Sequence, residues 1–385
     1  MNSHEDTPKM KPLPDAGTAA GSPPAAALAA APAAPRPRRA QLRVDDIPDQ
    51  IVFESTVRYL DKRWGATRIA GWIKDTYGRS DISRERVHHL VSVGIERRYV
   101  RVCPPLHERL ALRIKDRFNK ASCAVQVVDS HHHDAHEHVA TVAAETMLGR
   151  ILDLGHTRET VHVGFGPGQT TRIIAQKLAE LLRNEGVGAG LPDLVLHALS
   201  SGFAMNDPRN APSTFFAMFY GLPVNVRSVE LCAPTLVDAS EYDQIKDRSD
   251  VRNAIAQARQ IDLLVTSLAQ ADDEHGALHR SIEDDSATLA LLEQSEWAGE
   301  IQHRPFSAAG PIVTSSGQRA VTVFELDELA EFASRSGTMS LLVVGPCGKC
   351  GESKGKALRA LLGCEKLPVF THLVTDTRTA EDCVS

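Results

Sequence analysis

The sequence predicts an α/β protein in which an N-terminal helix-turn-helix precedes a doubly wound, mostly parallel-sheet domain. Three observations carry that expectation. Apolar residues recur at helical spacing between Ile51 and Ile95. Beyond Pro104 and Pro105, short apolar runs alternate with amphipathic helical stretches to the end of the chain. Two of those runs end in glycine-rich turns that lead into helices.

Residues 1–41 are mainly Pro, Ala, Gly and Ser. Such a segment buries too little apolar surface to offset its chain entropy, so a disordered tail is expected. Its end carries Arg36, Arg38 and Arg39, which either assist nearby phosphate contacts or simply close a solvated linker. Pro23, Pro24, Pro32 and Pro35 interrupt its Ala-rich stretch, and no apolar run approaches the roughly 20 residues that cross a bilayer. No membrane partner is expected.

A length of 385 residues suits two domains and a tail. With 42% hydrophobic and 24% charged residues, the composition is that of an ordinary globular protein, and three Trp and five Tyr offer no aromatic binding platform. A formal net charge of -6 excludes a protein that coats nucleic acid over its whole surface, so any DNA contact is local. Seven cysteines at scattered positions fit a reducing cytoplasm better than a disulfide framework.

The first domain is placed at residues 50–103. Ile51, Val57, Leu60, Trp64, Ile69, Trp72 and Ile73 predict two short amphipathic helices. Ser83 is the expected N-cap of a third, with Val87, Leu90, Val91 and Ile95 as its buried stripe. This recognition helix, about Ser83 to Ile95, exposes Arg84, Arg86, His88 and His89. Arg97, Arg98 and Arg101 follow it. Ser83, Arg84, Arg86, His88 and His89 are the candidate DNA-binding residues, because short polar and cationic side chains near a helix N-terminus reach base edges in a major groove. A solvated helix of a small all-α subdomain has the same pattern, and this segment alone does not choose between them.

The second domain is placed at 104–385. A helix is expected in HERLALRIKDRF and a strand in SCAVQVVDS. Further strands are expected at 160–165, 193–199, 226–233, 262–268, 340–345 and 370–376, with helices between them. The sharpest local feature is VHVGFGPGQTTRIIAQKLAELL, a buried strand running into Gly164, Gly166 and Gly168, then Gln169, Thr170 and Thr171 at a helix start. Backbone N–H groups and hydroxyls there suit an anion, unless the loop is a plain βα turn. It lacks the Lys of a P-loop and the spacing of a dinucleotide fingerprint, so neither ATP nor NAD is expected and no cofactor is assigned. The segment SLLVVGPCGKCGESKGKALRALL repeats the architecture, with Gly345, Gly348 and Gly351 after a strand and Lys349, Lys354 and Lys356 beside a helix. If both loops sit at the carboxyl ends of neighbouring strands, they face one crevice, with Lys354 as the counter-charge.

Taken in order from about residue 55 to the end, these elements resemble the SorC-type, DeoR-related sugar-binding regulators of bacterial transcription. The glycine loop, LSSGFAMNDPRNAPSTFFAMF, LCAPTLVDASEYDQIKDRSDVRNAIAQARQIDLLVTSL, AGEIQHRPFSAAG, the closing SLLVVGPCGKCGESKGKALRALL and HLVTDTRTAEDCV carry the resemblance. It implies a sensor domain related to sugar-phosphate isomerases and glucosamine-phosphate deaminases, without catalysis. It also implies a homo-oligomer, dimer or tetramer, in which a sugar or sugar-phosphate effector shifts affinity for operator DNA. Gly164, Gly166, Gln169, Thr170 and Thr171 would hold phosphate, Ser201, Gly202 and Asn210 would meet the ligand, and Lys354 would close the site. Two departures stand out. The family's middle element reads Gly-Asp, then Gly, Phe and Asp, where this chain has Gly299 and Glu300, then His303, Pro305 and Ser307, which implies an unusual effector. WIKDTYGRSD also lengthens the turn of the DNA module.

Three alternatives complete the expectations. HHHDAHEH places His131, His132, His133, Asp134, His136 and His138 together, at a density that can bind zinc or nickel, but a polar loop ahead of a helix starting near Val139 is preferred. Cys347 and Cys350 form a C-x-x-C pair ranked as structural first, thiol sensor second and metal third, with Cys364 the nearest further ligand. No metal is therefore assigned. An isomerase-like enzyme would draw its carboxylates from Asp238, Glu241, Glu300 or Asp376.

Overall fold

The computed structural model describes residues 47–97, 99–100, 103–130, 134–185, 190–201, 208–313 and 317–385. Its first three helices are α1 (Asp49–Leu60), α2 (Ala66–Tyr77) and α3 (Arg84–Glu96). They enclose a small core in which Ile51, Val52, Ile69, Ile73, Val87 and Leu90 are buried. On its outer side the Arg58 guanidinium lies 3.6 Å over the Trp72 ring and pairs with Glu54 at 2.6 Å. Of WIKDTYGRSD, expected to lengthen the turn, residues 72–77 belong to α2, which leaves 78–83 as an ordered connection. Gly78 ends α2 in the left-handed conformation (φ 68°), which a glycine adopts without cost. Arg79 then holds both oxygens of Asp81 at 2.8 and 2.9 Å. Ser83 caps α3, its Oγ accepting from the Arg86 N–H at 3.4 Å.

The rest of the chain continues with α4 (Glu108–Arg117), β1 (Ala124–Val128), α5 (Ala135–Gly155), β2 (Thr160–Phe165), α6 (Gln169–Glu185), β3 (Asp193–Ala198), α7 (Pro212–Phe215) and β4 (Val226–Val229). There follow β5 (Leu236–Asp238), α8 (Tyr242–Lys246), α9 (Ser249–Ala258), β6 (Leu263–Gln270), α10 (Ala277–Ile282), α11 (Ser286–Gln294), β7 (Gly299–Ile301), β8 (Arg304–Ser307), β9 (Gly310–Pro311) and β10 (Gln318–Ala320). The chain closes with α12 (Leu326–Ser334), β11 (Met339–Val344), α13 (Gly355–Gly363), β12 (His372–Asp376) and α14 (Thr377–Val384).

The main sheet runs β1-β12-β11-β6-β2-β3-β4, and every neighbouring pair along that path is parallel. All six residues of β11 are buried, as expected of a central strand covered on both faces. After β2 the chain moves outward through β3 and β4, then returns to lay β6, β11 and β12 on the other side. The order therefore reverses between β2 and β6, which is where open α/β sheets leave a crevice at their carboxyl ends.

Two parts depart from the simple alternation. Beyond the crevice β6 pairs antiparallel with β7, which pairs with β8 and through it with β9. A separate two-stranded ribbon joins β5 and β10. These strands are two to four residues long, too short to stand out as apolar runs. The helix after the His-rich stretch starts at Ala135, ahead of the expected Val139, so His136 and His138 lie in its first turn. His131, His132 and His133 lie outside the described residues. Among the described residues, no helix is long and apolar enough to cross a membrane.

Candidate functional site

Three loops meet where the strand order reverses: those after β2, β6 and β11. Gly168 has φ 117°, open to glycine and strained for other residues, and its N–H donates to the Asn210 carbonyl at 2.9 Å. A Cβ there would stand 3.3 Å from Ser267 Oγ of β6. Across the crevice, a Cβ on Gly348 would stand 2.9 Å from Gln169 Oε1, so the Gln169 side chain fits against the second loop only because Gly348 has none. The cavity between them is lined by Gly168, Gln169 and Thr170, by Ser201, Asn210 and Thr235, by Asp273, His275 and Arg280, by Glu300, Gln302 and His303, and by Cys347, Lys349 and Lys354.

The wall opposite the glycine loops is the hairpin of β7 and β8. Ile301 pairs with Arg304, which leaves Gln302 and His303 as a two-residue turn, and both have positive φ, 54° and 62°. Such hairpins need that conformation at both central residues and usually take Asn or Gly there. Long side chains in this position store strain that surrounding structure must hold. Arg304 supplies the hold. Its guanidinium donates to Tyr242 Oη at 2.8 Å and to the Ala320 carbonyl at 2.9 Å, and it also binds Thr322 and Glu325. The turn thus carries Glu300, Gln302 and His303 inward, at 5%, 4% and 9% exposure.

These side chains are buried and incompletely paired. Glu300 Oε1 accepts from the Leu278 N–H at 3.2 Å, while its Oε2 has no hydrogen-bond partner. The nearest cationic candidate, His303 Nδ1, is 3.9 Å away. Neither Nε2 nor Oε1 of Gln302 is hydrogen-bonded, and the Nε of Arg280 is also unpartnered. Burial pushes the Glu300 carboxyl up to about 7, against the Leu278 N–H and the Lys354 ammonium, and pushes His303 down to about 4. At neutral pH His303 is uncharged and Glu300 is divided between acid and carboxylate. Burial likewise lowers Lys354, opposed by Asp273, Cys347, Glu300 and Asp376, and its Nζ donates to the Leu268 carbonyl at 2.9 Å. The cavity therefore offers donors, acceptors and a group able to be either.

Of the residues singled out in the sequence, the cavity brings together Gly168, Gln169, Thr170, Ser201, Asn210 and Lys354. Gly164 and Gly166 are not among its lining. A Cβ on Gly164 would meet Leu199 at 2.9 Å, and one on Gly166 would meet Thr266 at 2.8 Å, so both serve close packing around β2. Thr171 is fully buried and its hydroxyl donates to the Pro167 carbonyl at 3.1 Å. Gly202 lies outside the described residues. Cys364 sits in the hydrophobic core beside Leu361 and Leu367, apart from the C-x-x-C turn. Among the carboxylates weighed for enzyme chemistry, Glu300 lines the cavity, Asp238 and Glu241 are exposed, and Asp376 caps α14 by accepting from Thr379.

Glu300 and His303 stood in the sequence as departures from a pattern, and Gln302 and Arg280 gave no signal. Their site role arises from a turn and a helix that bring distant segments together. Among the N-terminal helices, Arg84 and His89 are exposed on α3, while Arg86 is tied back to the turn by a 2.9 Å bond to the Asp81 carbonyl. His88 packs edge-on against Tyr59, 5.5 Å between ring centres. Arg98 and Arg101 lie outside the described residues.

The family model Sugar-bind, described as "Putative sugar-binding domain", matches residues 107–385. A search among curated protein sequences finds no match. Among solved structures, the chain is similar to the full-length sorbitol operon regulator SorC from Klebsiella pneumoniae, at 14% identity and a TM-score of 0.57, covering 88% of this chain and 100% of that one. It is also similar to a DeoR family transcriptional regulator from Listeria monocytogenes, at 17% identity and a TM-score of 0.53, covering 71% of this chain and 98% of that one. At such identities the likeness is one of fold. With the family match spanning residues 107–385, this chain belongs to the Sugar-bind family of sugar-binding domains.

Proposed function

We propose that this chain is a DNA-binding transcription regulator, without catalytic activity, whose affinity for operator DNA is switched by a sugar or sugar phosphate held in the crevice between β2, β6 and β11. One observation carries the effector half of this reading. Four buried polar atoms at the cavity, Glu300 Oε2, Gln302 Nε2, Gln302 Oε1 and Arg280 Nε, have no hydrogen-bond partner in the protein. Unpaired buried polar atoms cost free energy, and a ligand dense in hydroxyls satisfies donors and acceptors together. An anionic group on such a ligand is served by Arg280, Lys349 and the N-terminus of α6 beside Gly168, Gln169 and Thr170.

The DNA half rests on α3, with Ser83 at its cap and Arg84, His88 and His89 exposed along it, and Arg86 bracing the turn. We place the DNA-binding domain at about residues 50–103 and the effector and oligomerisation domain at 104–385. A two-fold operator calls for at least a dimer. The test is a thermal-shift panel of sugars and sugar phosphates on the full chain, since a ligand of the folded state raises its stability by mass action. A binding member of the panel is expected to bind roughly 10- to 100-fold more weakly to Gln302→Leu, the loss of a buried hydrogen-bonding group. Silence of the wild-type chain across the panel contradicts the reading.

A further inference from the structure

We propose that Asp273, His275, Cys347 and Cys350 form a zinc-type divalent cation site at the rim of the cavity. One ligand atom from each of these residues lies within 4.8 Å of the others. Four ligands held at Zn–S of about 2.3 Å and Zn–N or Zn–O of about 2.0 Å stand roughly 3.3 to 3.8 Å apart in a tetrahedron. Cys347 Sγ is 3.7 Å from Asp273 Oδ1, and that oxygen is 3.4 Å from His275 Nδ1. The cluster is thus near closed-site dimensions. Thiolate, imidazole and carboxylate together in such a tetrahedral set select zinc over magnesium or calcium.

The fold gives the cluster its shape. Asp273 and His275 leave the carboxyl end of β6, Cys347 and Cys350 that of its parallel neighbour β11, so two adjacent strand ends supply two ligands each. The Cys347–Gly351 turn is itself of the kind that grips a metal. Gly351 has φ 73° directly after the second cysteine, and its N–H donates to the Cys347 carbonyl at 2.8 Å. The backbone N–H groups of Lys349 and Cys350 favour the thiolate form of Cys347, against the burial that raises it. Charge also balances. Two thiolates, one carboxylate and a divalent ion leave one net negative charge, and the Lys354 ammonium interacts with Asp273 and Cys347 from the inner side. Cys350 and His275 are exposed, which gives the ion an entry path. Bound there, the ion clamps the β6 and β11 loops together beside the cavity.

The experiment uses the full chain, reduced and stripped of metal, titrated with Co2+ and then Zn2+. One equivalent of Co2+ should produce thiolate-to-cobalt charge-transfer absorption and tetrahedral d–d bands, both removed by Zn2+, and Zn2+ should raise the melting temperature. Cys350→Ser and His275→Ala, at exposed positions, should keep the circular dichroism spectrum and each lose at least 10-fold in affinity. Cys232→Ser, at an exposed cysteine outside the cluster, should behave as wild type. Cobalt bound without thiolate absorption, as the His131–His138 stretch alone would give, overturns the site. So does undiminished absorption in Cys350→Ser, absence of uptake, or a Cys347 to Cys350 disulfide that persists under reductant. None of these readouts depends on whether a sugar binds.

Discussion

The N-terminal helices and the α/β domain dispose their polar side chains in opposite ways. The helical module holds a compact core behind an outward face, where Arg84 and His89 are exposed on α3. The α/β domain turns its polar groups inward, placing Glu300, Gln302 and His303 under 10% exposure in a strained turn. A surface face suits a long polyanion, whose affinity comes from many solvated contacts. A concave cavity suits a small ligand, whose few contacts must each count. The comparison makes the halves separable by mutation.

The largest effect should come from the module's core. Ile73 is fully buried between the helices, and Ile73→Ala should destabilise the module by about 2 to 5 kcal/mol. DNA binding should fail while ligand-induced stabilisation of the α/β domain persists, measured by gel shift and thermal shift on the same sample. Loss of both together would show that the halves fold as one unit.

Next is the pH dependence of the cavity. The Glu300 carboxyl is raised from about 4.5 to about 7 in the folded chain, so the folded state holds the proton more tightly than the unfolded one. Its contribution is present below the unfolded value and is lost as pH rises through the folded value, a change of roughly 3 kcal/mol. His303, lowered to about 4, acts in the opposite sense, costing stability as pH falls from about 6.5 toward 4. Denaturant unfolding across pH 4.5 to 7 should therefore show a downward component that disappears in Glu300→Gln. An unchanged slope would remove Glu300 from the titrating groups.

On the exposed face, Arg84→Ala combined with His89→Ala should weaken DNA binding roughly 10- to 100-fold by fluorescence anisotropy, equivalent to about 1 to 3 kcal/mol, with the ligand response intact. Arg86→Ala is a different experiment, because Arg86 braces the turn at Asp81 and its loss disturbs α3 before any base contact. The smallest effect belongs to Ser83→Ala, about 0.5 to 1 kcal/mol by thermal unfolding, since the cap bond to the Arg86 N–H is long at 3.4 Å and exposed.

Legibility from sequence followed the same division. The central strands β6 and β11 were marked by apolar runs, because strands covered on both faces favour continuous Val, Leu and Ile, whereas the edge strand β4, VRSV, has no buried residue and ends four residues short of the expected 226–233. The third helix was visible from Ser83 and from Val87, Leu90 and Val91, while Ile95, expected in the same buried stripe, is 49% exposed. The loop glycines were visible as a group but not by role. Gly164 and Gly168 look alike in a string, yet one packs against Leu199 and the other opens onto the cavity. The hairpin wall was the least legible part. Its strands are three and four residues long, its turn uses Gln302 and His303 against local preference, and Arg304 holds it through Tyr242 and Glu325, partners far away in sequence. Local rules fail most where tertiary contacts impose a conformation, and here that place lines the cavity.

The most direct measurement of the central claim is an operator-DNA titration of the full chain with and without the sugar or sugar phosphate that stabilises it. A change in DNA affinity of roughly 5- to 150-fold is expected on adding the ligand, the usual range of coupling between two sites, and no change in Gln302→Leu at the same ligand concentration. Ligand bound at saturation with DNA affinity unaltered would contradict that claim.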